Sequence, residues 1–184
     1  KNEYVAIMGP SGSGKSTLLK IIAGSEKADS GVVEIAQNTR VGYLSQEIIF
    51  EEGESIQSYL KKISGLDKIE SRMKEIESRL DDPKILEEYG ILQSEFARME
   101  GYSFDYRAKV ILEGFGLRDI DSNRSLSELS GGQKSKVALA GILLKGFDVL
   151  LLDEPTNNLD LPALIWLEQY INKITVSCLI ISHD

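Results

Sequence analysis

Residues Gly9 to Ser16 read GPSGSGKS, two glycines spaced around four residues and followed by a lysine and a hydroxyl. That spacing, G-x-x-x-x-G-K-[ST], is suited to cradling phosphate. Glycines let successive backbone N–H groups converge on phosphate oxygens with no side chain in the way. A helix starting near Lys15 adds the positive end of its dipole. Lys15 is placed to reach the β- and γ-phosphates of a nucleotide, and the Ser16 hydroxyl to ligate Mg²⁺. The candidate phosphate-contacting residues are therefore Gly9, Pro10, Ser11, Gly12, Ser13, Gly14, Lys15, Ser16 and Thr17.

Two carboxylates complete such a site. Asp153 closes the apolar run VLLLD, and a carboxylate at the tip of a buried strand can hold Mg²⁺ through water. Glu154 follows on the other side of the strand, where it can polarise the water that attacks a γ-phosphate. A second glycine turn, Ser130-Gly131-Gly132-Gln133, opens the apolar pattern KSKVALAGILL. It too offers N–H groups and a helix start to an anion. One nucleotide does not need two such turns, so this one is free to hold the γ-phosphate of another nucleotide, bound on a second domain.

The elements that must position these residues alternate. YVAIM (Tyr4 to Met8) reads as a buried strand, and STLLKIIAG as a helix stopped at Gly24. GVVEIA and RVGYLSQ read as two more strands, FDVLLLDEP as one covered on both faces, LPALIWLEQYI as a helix and SCLIISHD as a last strand. This is an α/β pattern with a mostly parallel sheet and helices on both sides, whose ligands sit at the carboxyl ends of the strands. Every motif falls at such an end. Between Glu51 and Glu100 the chain turns charged and helical. Ile69, Met73, Ile76 and Leu80 recur at steps of four, three and four; beyond DDPK, Ile85, Tyr89, Leu92, Phe96 and Met99 do likewise. The pattern predicts an antiparallel helical hairpin, either a surface subdomain on its own core or a partner-binding arm.

Composition narrows the class. A chain of 184 residues with 42% apolar and 27% charged residues fits one globular core. The net charge of −8 argues against a sequence-blind nucleic-acid binder, though not against a specific contact with a ribonucleoprotein. The one cysteine, Cys178, reads as a core residue and fits a reducing compartment. No apolar run reaches the ~18 residues of a membrane span, and no signal peptide is evident. Both ends read as cuts through a larger protein.

Gly9 to Ser16, Gln46, LSGGQ (Leu129 to Gln133), LLLDEP (Leu150 to Pro155), NNLD (Asn157 to Asp160) and His183 stand in the order found in ATP-binding cassette (ABC) ATPases, which the whole chain resembles. The resemblance implies a P-loop NTPase fold. It also implies a head-to-tail pair of cassettes with two ATP molecules between them, so that Ser130, Gly131, Gly132 and Gln133 act in trans. It implies that Gln46 contacts Mg²⁺ and the attacking water, that Glu154 is the catalytic base, that Asp160 organises the cassette interface, and that His183 hydrogen-bonds the γ-phosphate. Taken alone, His183 reads equally as a strand-end surface residue. The aromatic residue that stacks on adenine in the family would lie upstream of Lys1.

DEPTNNLD resembles the DEPTNHLD of ABC-F proteins, with Asn158 in place of the usual histidine; EGYSFDYRAKVILEGFGL, LSGGQKSKVALAGILL and the closing ISHD are similar as well. ABC-F proteins carry two cassettes on one chain, no membrane domain, and an inserted helical arm in the first cassette. On that pattern residues 1–50 and 101–184 form the cassette core and residues 51–100 the arm and the start of the helical subdomain. The resemblance implies a cytoplasmic ATPase that binds the ribosome when closed on ATP, as a translation factor or in ribosomal protection from antibiotics. The alternative is the ATP-hydrolysing subunit of a membrane transporter. A DNA-maintenance ATPase is a weaker third reading, because the insertion is too short for a long coiled coil.

Overall fold

The computed structural model describes residues 3–45, 50–174 and 176–182. Four parallel strands, β1 (Tyr4–Met8), β2 (Val41–Leu44), β3 (Val149–Asp153) and β4 (Ser177–Ser182), form one sheet in the order β1-β4-β3-β2. Met8 pairs with Ser182 and Asp153 with Ile181, so the carboxyl ends of these three strands share one rim.

β3 shows why the sheet carries helices on both faces. Successive side chains along a strand point to opposite sides. Leu151 packs with Ile181 against Leu19 of α1 (Lys15–Ile22), while Leu150 and Leu152 join the larger core on the opposite face. That core is filled by α5 (Phe104–Gly114), α6 (Gly131–Lys145) and α7 (Leu161–Ile171). All three central leucines are fully buried, as a strand covered on both faces requires. Cys178 lies in the same core, where burial pushes its thiol up to about 11.

Two strand expectations are corrected. β1 is not buried: among the described residues it sits at the sheet edge with β4 as its one neighbour, and Tyr4, Val5 and Met8 are exposed, Met8 at 70%. Gly31 to Ala36 forms no strand; Val32 is 86% exposed, and Val33 and Ile35 stand out with it. Its β-branched residues favour a pleated surface, but nothing among the described residues pairs with it, and strand preference without cross-strand contacts does not make a strand.

The helical stretch contains α2 (Ile56–Ser64), α3 (Leu66–Ile76) and α4 (Pro83–Arg98). Ser55 caps α2 and Asp82 caps α4, each accepting a backbone N–H with its side chain. α3 and α4 form an antiparallel hairpin whose seam is the one the periodicity predicts. Ile69, Ile76 and Phe96 are buried and Met73, Leu80, Ile85, Tyr89, Leu92 and Met99 half-buried. Arg72 clamps Glu88 across the hairpin through Nε at 2.7 Å and Nη2 at 3.1 Å. Ile56, Leu60, Leu66, Ile69 and Phe96 belong to the same core as α6, so the hairpin is rooted in it.

One close approach ties α5 to α7. A Cβ on Gly114 would lie 1.9 Å from Cε2 of Trp166, whose ring meets Phe115 edge to face at 4.7 Å between centroids. Gly114→Ala is expected to destabilise the fold by about 1–3 kcal/mol, because the indole must leave its packed position. Thermal unfolding followed by fluorescence of the single tryptophan measures it; a variant melting with the wild type would refute the tight contact.

Candidate active site

The phosphate loop is built by backbone freedom at two glycines. Gly12 (φ +78°) and Gly14 (φ +85°) sit in the left-handed region, where a side chain costs energy. Gly14 then starts α1 with no side-chain cap, leaving the N–H groups of the first turn turned outward. Lys15 folds its amine over the loop, donating to the carbonyl oxygens of Gly9 at 2.8 Å and Pro10 at 3.0 Å.

β3 delivers the carboxylates to the same place. The Ser16 hydroxyl donates to Asp153 Oδ1 at 3.1 Å, across 137 residues of sequence. Asp153 is only 2% exposed, and its Oδ2 has no hydrogen-bond partner among the described residues. A buried carboxylate oxygen without a donor, next to a serine hydroxyl, is a hard-oxygen pair of the kind that binds Mg²⁺ together with phosphate oxygens. The residues therefore fit that ion.

Glu154 follows in a left-handed conformation (φ +50°, ψ +52°), unusual for a residue with a side chain. Its amide donates to Ile181 O of β4 at 3.0 Å, and its carbonyl accepts from Asn157 N at 3.1 Å. The kink turns the chain off the sheet and leaves Glu154 8% exposed. Ser11, Gly12, Gly14, Lys15, Ser16, Thr17, Glu154 and Asn157 line one cleft of about 560 Å³. The structure thus brings together the loop and both carboxylates. Asn157 is a lining residue that the sequence reading did not single out; its signal was its place in NNLD, directly after the carboxylate pair.

None of Ser130 to Gln133 lines that cleft. They form a capping box at the start of α6. Ser130 Oγ accepts from Gln133 N at 3.3 Å, and Gln133 Oε1 accepts from Ser130 N at 3.0 Å. The N–H groups of Gly131 and Gly132 are among those that a helix cannot satisfy itself, and both glycines are exposed. Ser130→Ala is expected to cost about 1 kcal/mol of stability by loss of the cap. Urea unfolding tests this; an unchanged midpoint would argue against the box in solution.

Asp160 does not line the cleft either. Its Oδ1 caps α7, accepting from Ala163 N at 3.1 Å, and its Oδ2 accepts from Lys136 Nζ at 2.8 Å. The Lys136 ammonium holds its carboxyl below the usual range. Gln46 and His183 lie outside the described residues.

A phosphate loop, a strand-tip Asp-Glu pair and a capped LSGGQ turn on one parallel sheet can be compared with known families. The profile described as ABC transporter matches residues 1–157. The chain belongs to the ABC family. Relatives at full coverage of this cassette include the uncharacterized ABC transporter ATP-binding protein YfmM of Bacillus subtilis (strain 168), 41% identical over 100% of this chain and 37% of its own length. ABC transporter F family member 5 of Arabidopsis thaliana is 35% identical over 100% of this chain and 28% of its own. The tylosin resistance ATP-binding protein TlrC of Streptomyces fradiae is 34% identical over 99% and 35%. This chain therefore spans about a third of these curated relatives. Among solved structures, the complex of archaeal ribosomal stalk protein aP1 and archaeal ribosome recycling factor aABCE1 matches with a TM-score of 0.65 and 27% identity, over 99% of this chain and 29% of that one. The ATP-binding family and the parallel α/β fold are as the motifs imply.

Proposed function

We propose that this cassette hydrolyses ATP as one half of a head-to-tail pair, in a cytoplasmic ABC-F protein that acts on the ribosome. The observation that carries the ATPase reading is the cleft shared by the phosphate loop and Glu154, with Asp153 hydrogen-bonded to Ser16 of that loop. Loop amides and Lys15 bind and orient the β- and γ-phosphates. Ser16 and Asp153, with Gln46, would hold Mg²⁺, which would supply positive charge against the phosphate oxygens. Glu154, at the edge of the cleft, takes the proton of the attacking water. His183 holds the γ-phosphate, and Ser130 to Gln133 serve the nucleotide of the second cassette.

The ribosomal part rests on the relatives. One is an F family member, one is named for tylosin resistance, and a structural neighbour is a ribosome recycling factor. No described helix is long and apolar enough to cross a membrane. On this reading residues 51–100 supply the arm, and α3–α4 is the part that reaches the partner.

The test uses full-length protein with Glu154→Gln and the matching change in the second cassette. With ATP added to a lysate, the protein is expected to sediment with ribosomes, and not to do so with ADP. Sedimentation with membranes and none with ribosomes would replace this reading with the transporter subunit.

A further inference from the structure

Three buried side-chain oxygens among the described residues have no hydrogen-bond partner of standard geometry: Tyr43 Oη, Asp67 Oδ1 and Asp153 Oδ2. Buried polar atoms are nearly always bonded, so each calls for a physical reason. Asp67 lies in the first turn of α3. The other two belong to neighbouring strands. On the β2–β3 ladder Tyr43 is level with Leu151, and Asp153 is two residues further along β3. Side chains two apart on a strand share a face. Tyr43 and Leu151 pack with Leu19 of α1, and Asp153 is bonded on that same side by Ser16, the second residue of α1. A diagonal neighbour across two strands is within reach of an aromatic side chain. Tyr43 is half-buried, yet its Oη is enclosed. Burial pushes its phenol above the usual range; the Ser45 hydroxyl opposes that, and the Asp153 carboxylate adds to it. A neutral phenol can donate, and an ionised carboxylate can only accept.

We propose that Tyr43 is a positioning residue for the ion-binding carboxylate: its hydroxyl donates, across one shared water, to Asp153 Oδ2, and so keeps Oδ1 turned to Ser16. The inference rests on the assignment of Ser16 and Asp153 to Mg²⁺ above. A bridging water serves nearly as well as a direct bond where both ends are polar. Groups that orient a metal's ligands are felt in its affinity, because a ligand free to turn must be ordered when the ion binds. The tyrosine ring also packs beside Leu19 and Leu151, so the two duties must be separated. Tyr43→Phe does so, since it keeps the ring and removes only the hydroxyl.

The experiment measures the affinity of full-length protein for a non-hydrolysable ATP analogue, once with excess Mn²⁺ and once with EDTA. A lysine-to-alanine change in the phosphate loop of the second cassette confines the measurement to this site. Unmodified Tyr43, Tyr43→Phe and Tyr43→Leu are compared in that background, each with its nucleotide-free unfolding midpoint. The ratio of the two dissociation constants reports what the metal contributes, and with Tyr43 present it is expected to exceed unity clearly. Tyr43→Phe is expected to lower the ratio by roughly tenfold, the low end for losing a group behind a metal ligand. Its affinity in EDTA and its unfolding midpoint are expected to stay where they were, the cost of burying the hydroxyl nearly cancelling its bond. Tyr43→Leu trims the ring as well and is expected to lower the midpoint besides. An unchanged ratio in Tyr43→Phe would overturn the proposal alone. So would an equal loss of affinity in Mn²⁺ and in EDTA, which is what a merely structural hydroxyl would give. Binding indifferent to Mn²⁺ with Tyr43 in place would overturn the metal site itself.

Discussion

Glu154→Gln is expected to slow ATP turnover by about 10²–10⁴-fold, the usual contribution of a positioned general base, with ATP binding retained. The amide matches the carboxylate in size and can keep a hydrogen bond to water, but it cannot take the proton. Two features make the effect large here. Glu154 is 8% exposed, so bulk buffer does not readily replace it. Its left-handed backbone, fixed by Ile181 O and Asn157 N, aims one side chain at the cleft and gives neighbouring residues no equivalent position. Single-turnover phosphate release and filter-bound nucleotide, measured together on full-length protein, separate chemistry from binding. A variant that releases phosphate within about tenfold of wild type would remove Glu154 from the role of base.

The second large effect is expected at Asp153, with opposite signs for folding and for ligand binding. Asp153 buries a carboxylate with one hydrogen bond, from Ser16, and one oxygen lacking a donor among the described residues. Burying a charge without full compensation opposes folding. Asp153→Asn keeps an acceptor for Ser16 and removes the charge, so the nucleotide-free protein is expected to unfold at the same free energy or about 1 kcal/mol higher. The gain from nucleotide should meanwhile collapse. Ligand at a hundred times its Kd stabilises a protein by about 2.7 kcal/mol, and the asparagine variant is expected to show little of this with ATP and Mg²⁺. Thermal unfolding with and without ATP and Mg²⁺ reads both quantities. A nucleotide-free variant clearly less stable than wild type would mean that Asp153 holds the fold rather than the ion.

Much of this site was legible in the sequence because its parts are contiguous. Gly9 to Ser16 is one loop, Asp153-Glu154 one strand end and Ser130 to Gln133 one helix start, and each carries its own backbone logic. Leu150, Leu151 and Leu152 likewise announced a strand covered on both faces, and they divide between the two cores. What failed depended on neighbours. Tyr4 to Met8 and Gly31 to Ala36 have the residue types of strands, but burial and pairing are set by what lies alongside: among the described residues β1 has a strand on one side only, and Gly31 to Ala36 has none. Lys136 escaped notice for the same reason. As one of two lysines flanking Ser135 it looks like a solvated charge, and only the position of Asp160 at the head of α7 shows that it is spoken for.

The rooting of the α3–α4 hairpin has a mechanical consequence. Its base residues, Leu66, Ile69 and Phe96, share one packed core with Val137 and Leu143 of the LSGGQ helix, and packed cores transmit strain instead of absorbing it. The hairpin then behaves as a lever with its fulcrum in that core. The 16 residues of α4 make a beam of about 24 Å. A turn of the core by about 10° would sweep the Leu80–Pro83 tip through roughly 4 Å, about the width of an atom's van der Waals contact. A tilt too small to disturb the packing at the nucleotide end is thus displayed, enlarged, at the far end of the hairpin.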